Sequence, residues 1–126
     1  MEKIPYALKR WFLLHFFLDY FIALPLFFFP IQTLTVFNFT IIDPLTARLV
    51  ACALFAIGGT SLILYTHEKV FYRPLLLVKI IWSITATIAL FWSYIENRNP
   101  ILLLFTALFL FFFCLWTYYY QKEFSK

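Results

Sequence analysis

Glycine is nearly missing from this chain: two in 126 residues, adjacent at positions 58 and 59. That excludes a glycine-rich loop of the kind that cradles phosphates. Cysteine is equally scarce, and neither Cys52 nor Cys114 belongs to a C-x-x-C. A disulfide framework or a thiolate metal site is therefore not expected. Charge is thin as well, 13% of residues against about 25% in an ordinary soluble domain. No metal-ligand spacing and no nucleophile–base arrangement is present, which weakens an enzyme reading without excluding one; the leading expectation is a non-enzymatic protein without a cofactor.

What is abundant is apolar: 64% hydrophobic and 24% aromatic. A soluble chain this short leaves much of its surface in water and has nowhere to bury so much Phe, Leu and Ile. The bilayer solves that problem. A spanning helix needs about 20 mostly apolar residues, and four segments qualify, at about 5–29, 44–65, 74–95 and 100–120. The runs are continuous, as in LLLFTALFLFFFCLW, and do not alternate as barrel strands do. The fold class is all-α: one integral membrane domain over 1–126, a four-helix bundle. The first segment follows Lys3, Lys9 and Arg10 like a signal peptide, but its apolar run is long and no A-x-A-like site follows it. It is kept as the first span.

Proline marks the boundaries. Pro5, Pro44, Pro74 and Pro100 sit near the four starts, where the missing N–H has no intrahelical partner to lose. Asp43-Pro44 and Asn99-Pro100 each read as an N-cap followed by proline. Pro25 bends the end of the first helix and Pro30 stops it. The following segment, 31–42, is too short to span and apolar enough to lie at the membrane surface or fold back on the helices. Short loops predict antiparallel neighbours in up-down-up-down order.

The basic residues flank the spans and give no nucleic-acid signal. Lys3, Lys9, Arg10, Lys69, Arg73, Lys79, Lys122 and Lys126 fall on the side of the termini, and Arg48 and Arg98 on the other. That bias places both termini in the cytoplasm. Trp11, Tyr72, Trp82, Trp92, Tyr94, Trp116 and Tyr118–Tyr120 fall near span ends as an aromatic belt. In the second span, Ala47/Ala51 and Cys52/Ala56/Thr60 have small-xxx-small spacing, and both glycines are there. It is read as the packing centre, and the Phe- and Leu-rich fourth span as the most lipid-exposed. The cysteines lie roughly 10 Å and roughly 21 Å from the outer ends of their helices. Bridging needs Cα atoms within about 7 Å, so both are read as packing residues.

Few polar groups lie inside the spans. His15 and Asp19 are four residues apart and share a helix face. A carboxylate there costs several kcal/mol unless paired, wetted or protonated. Asp19 lies roughly 12 Å from the terminal side, with Lys79 and Ser83 at roughly 6 and 12 Å on the same side. His15, Asp19, Lys79 and Ser83 are thus read as one polar cluster, extended by Thr87. Three readings stay open: an Asp19–Lys79 clamp between helices, a functional head-group or proton site, or Lys79 snorkelling to the interface. On the other side, Asp43 and Arg48 read as a capped helix start with an interfacial ion pair, or as an anion or head-group site.

Phe29-Pro30, Asp43-Pro44, Arg48 and Gly58 resemble the first half of small four-helix bacterial membrane proteins of the DoxX-like and BphX-like kind, over residues about 10–60. The chain departs from them in having no glycine in its first loop. The resemblance implies a protein of the bacterial cytoplasmic membrane, and some DoxX-type members are linked to quinone-coupled oxidoreductase complexes. The chain also resembles small multidrug resistance transporters in size, helix number and an acid in the first helix, but not in its few glycines and strong charge bias. The expected roles are an accessory subunit or a binder of lipid or quinone-type ligands; the alternatives are a proton-coupled transporter using Asp19 and an enzyme using His15 and Asp19. The expected partners are the lipid bilayer and either a membrane-protein partner or a second copy of the chain.

Overall fold

Side-chain caps set two of the helix starts. In the computed structural model, which describes residues 3–125, Asp43 accepts a hydrogen bond from the Leu45 N–H at 3.2 Å and Asn99 accepts one from the Ile101 N–H at 3.2 Å. Proline occupies the first helical position after each. The protein is all-α, with no strand among the described residues. Its helices are α1 (Tyr6–Phe28), α2 (Pro30–Val36), α3 (Pro44–Leu64), α4 (Lys69–Asn97) and α5 (Pro100–Phe124). All but α2 are long and apolar enough to cross a membrane. Lys126, counted above with the basic terminal side, lies outside the described residues.

Pro74 does not start a helix. It lies inside α4, which begins five residues earlier at Lys69. Proline deprives α4 of one early hydrogen bond, to the Val70 carbonyl, and the helix continues through it. Pro30 both ends and begins: Phe29, at φ −133° and ψ 61°, breaks α1, and Pro30 is the first residue of α2. The Pro25 carbonyl accepts the Phe29 N–H at 2.8 Å and the Thr33 hydroxyl at 3.0 Å, which ties α2 to α1. Asn38, at φ 65°, turns the chain out of α2, a conformation that asparagine tolerates well.

The chain forms two compact units, Met1–Phe71 and Tyr72–Lys126. In the first, α1 and α3 run antiparallel with α2 against both. The register is visible in Arg48 on the Phe27 carbonyl, Tyr20 on Phe55 and Gly58 against Asp19. In the second, α4 and α5 run antiparallel: Trp82 meets Phe109, Lys79 meets Trp116 and Arg73 meets Tyr120.

As expected, α3 is the most buried long helix and α5 the least, with 33% and 17% of their apolar stretches buried. The small residues behave differently from expectation. Ala47, Ala51 and Gly58 are buried, whereas Cys52, Ala56 and Thr60 are exposed. Helical periodicity allows only one of the two stripes to face α1. Cys114 is exposed too, so neither cysteine is a packing residue. The aromatic belt also needs correction. Trp92 and Tyr118 are exposed, but Tyr72 and Trp116 are fully buried and Tyr119 nearly so. Those three rings are core, not belt.

Candidate functional site

Spacing alone brings His15 and Asp19 together. One helical turn apart, their Nε2 and Oδ1 atoms lie 3.4 Å from each other, and both side chains are buried. That is longer than an ordinary N–H···O hydrogen bond, so it is an electrostatic contact whose strength depends on the protonation of His15. The opposite wall is Gly58 of α3. A Cβ there would come within 3.2 Å of Asp19 Oδ2, so the lack of a side chain is what admits the carboxylate. Next along α1, Tyr20 donates its hydroxyl to the Phe55 carbonyl at 3.1 Å. A buried carboxylate beside an imidazole can hold or exchange a proton, or accept a hydrogen bond from a hydroxyl or amine.

In the second unit, Lys79, Ser83 and Thr87 form a buried polar stripe along α4. Two of them turn inward on their own helix: the Ser83 hydroxyl donates to the Lys79 carbonyl at 2.7 Å and the Thr87 hydroxyl to the Ser83 carbonyl at 2.6 Å. Each hydroxyl thereby spends its proton and keeps lone pairs for a donor. Lys79 has no exposed surface, and its Nζ stands 4.9 Å above the Trp116 ring. Snorkelling to the interface is therefore not what this lysine does. Trp116 is itself stacked on Phe112, with centroids 5.5 Å apart. An ammonium over an indole face is stabilised by about 0.5–2 kcal/mol, most when desolvated. Nearby on the same helices, Trp82 Nε1 and Thr117 Oγ1 are buried without a hydrogen-bond partner.

At the start of α3, Asp43 is a cap. Its carboxylate accepts from the Thr46 hydroxyl and the Leu45 N–H. The Thr46 hydroxyl, joined by the backbone N–H groups of Leu45 and Thr46, holds the Asp43 carboxyl below its ordinary value of 3.8, while desolvation works the other way. The expected ion pair with Arg48 does not form. Arg48 donates instead to the Phe27 carbonyl at 3.1 Å. That carbonyl belongs to the last turn of α1, where no intrahelical N–H remains for it, and a cation suits the negative end of a helix.

Sequence reasoning thus found His15–Asp19, the buried α4 stripe and the Asp43 cap. It missed Trp116 as a partner of Lys79, Gly58 as the wall of the Asp19 slot and the Phe27 carbonyl as the target of Arg48. The signal for Trp116 was available: the turn at 97–100 sets the register of α4 on α5 and places Lys79 level with residues near 116. Among the described residues, no three His, Cys, Asp or Glu side chains are grouped to hold a metal ion. Comparison with family models, with characterised proteins and with solved structures returns no match.

Proposed function

We propose that this is a small integral membrane protein of the bacterial cytoplasmic membrane, with both termini on the cytoplasmic side, acting as an accessory subunit or as a binder of a lipid or quinone-type ligand. The observation that carries the ligand reading is a pair of buried polar atoms on α4 and α5. The Trp82 indole N–H and the Thr117 hydroxyl have no hydrogen-bond partner. Such groups are costly when buried and unmet, and a carbonyl or ester oxygen would satisfy them. Four long apolar helices are compatible with the membrane setting, and the basic residues near the span ends, seven against two once the buried Lys79 is left out, support the orientation.

Gentle purification and identification of what co-purifies tests the role. A bound lipid or quinone lost on Trp82→Phe supports the binder; a stoichiometric protein partner supports the subunit; neither would remove both. Reporter fusions at the C-terminal end and within 31–42 test the orientation, and an external C-terminus rules it out.

A proton-coupled transporter is the second reading, favoured by the buried contact between the Asp19 carboxylate and His15 at 3.4 Å. It requires proton movement that depends on Asp19.

A further inference from the structure

A cleft of about 380 Å³ in the first unit is lined by Lys3, Ile4, Lys9, His67, Glu68 and Lys69. Its walls come from opposite stretches of chain. Lys3 and Ile4 immediately precede α1, Lys9 is in its first turns, and His67 and Glu68 follow the end of α3. The antiparallel pairing of α1 and α3 brings these ends together, at the edge of two helices long enough to span a bilayer. Among the described residues, Lys3, Lys9 and Lys69 line the cleft with one carboxylate, that of Glu68. Lys9 is half-buried, so its charge is screened less than that of a lysine in open water.

We propose that this cleft binds the phosphate of an anionic lipid head group. Lys3 and Lys9 alone outnumber Glu68 in the cleft, which calls for an anion, and basic pockets between membrane-spanning helices are suited to lipid phosphates. The surroundings favour a lipid over a soluble phosphate. Tyr6, Ile63 and Val70, at the same ends of their helices, are large apolar side chains with 74%, 64% and 65% exposure. They give acyl chains a surface to lie on, which inorganic phosphate does not need. His67, whose ring meets Phe71 edge-on at 5.7 Å, adds an N–H donor to the lining. The site is distinct from the buried groups of the ligand reading and stands without them.

The test is binding by the detergent-purified full chain, read by native mass spectrometry and by thermal shift. The probes are phosphatidylglycerol, phosphatidylcholine and inorganic phosphate. Phosphatidylglycerol is expected to bind and to raise the unfolding midpoint, while the other two do neither. Each lysine removed by K3Q, K9Q or K69Q weakens binding by about fivefold, whereas R48Q, a charge loss at the opposite end of α3, leaves it unchanged. Should any of these lysine variants fail to fold, the remaining ones and E68Q still decide the matter, because E68Q removes the opposing carboxylate and must tighten binding. An equal response to inorganic phosphate reassigns the cleft to a soluble anion and overturns the lipid proposal. Equal binding of phosphatidylcholine, or unchanged binding in the lysine variants, overturns the site.

Discussion

Gly58 lies directly against Asp19: a Cβ on the glycine would stand 2.9 Å from the Asp19 Cβ and 3.2 Å from its Oδ2. The only two glycines of the chain are thus placed by what faces them on α1. Gly58→Ala forces a side-chain root in α1 to move and is expected to destabilise by about 1–3 kcal/mol, as overpacking does. At Gly59 the added methyl would meet the Tyr20 hydroxyl at 2.9 Å, the far end of a side chain, so Gly59→Ala is expected to be milder. Ala56→Phe, on the exposed face, is expected to be the mildest of the three. Thermal unfolding in one detergent ranks them. Equal loss at Ala56 and Gly58 would show that the α1–α3 contact is not the tight one.

Lys79 should be the slowest amine in the protein to react. It has no exposed surface and faces the Trp116 ring at 4.9 Å, whereas Lys3 is exposed. Amine labelling of the folded protein, read by peptide mass spectrometry, is expected to modify Lys3 well before Lys79. Trp116→Phe keeps a ring but weakens the cation contact, with a cost of about 0.5–1 kcal/mol. Trp116→Ala empties a fully buried site and costs about 3–5 kcal/mol. Labelling of Lys79 at the rate of Lys3 would overturn its burial.

The fold was legible where local chemistry decides. Asp43-Pro44 and Asn99-Pro100 placed two helix starts because an Asx cap and a proline act within four residues. Pro74 misled because α4 continues through a proline that helix-start chemistry would place at its beginning. The site was legible along a helix and illegible across one. His15 and Asp19 meet by spacing alone, as do Lys79, Ser83 and Thr87. The choice between the Ala47/Ala51 and Cys52/Ala56/Thr60 stripes depended on which face of α3 meets α1, and both satisfy the same small-residue pattern. Trp116 could serve as belt or core with the same composition, and only the α4–α5 register puts it over an ammonium.

Asp43 gives the protein an acid-sensitive helix start. Its carboxyl is held below 3.8 when folded, chiefly by the Thr46 hydroxyl. A lowered folded value means the carboxylate stabilises the fold above the unfolded value and loses that contribution as pH falls below about 3.8. Asp43→Asn retains an acceptor for the Leu45 N–H and cannot titrate. The stability difference between wild type and Asp43→Asn is therefore expected to shrink as pH falls from 6 to 3. Unfolding midpoints across that range test it, and a constant difference would assign the cap to geometry alone.

Asp19 separates the two functional readings. Its carboxylate is buried beside His15 at 3.4 Å, so its shape and its charge can be removed one at a time. Asp19→Asn is nearly isosteric, keeps an acceptor for His15 and fits against Gly58. Asp19→Ala removes the acceptor and leaves space, and is expected to cost about 1–3 kcal/mol, with Asp19→Asn costing less. If the protein binds a ligand or serves a partner, wild-type proteoliposomes under an imposed membrane potential acidify no faster than protein-free ones, and Asp19→Asn changes stability alone. A proton-coupled transporter predicts the reverse: substrate-dependent acidification in wild type, and a folded Asp19→Asn variant that has lost it. An internal pH-sensitive dye reads both cases, and the unfolding midpoint of the same preparation confirms that the variant is folded. Proton movement abolished by Asp19→Asn at an unchanged midpoint would replace the binder reading with the transporter.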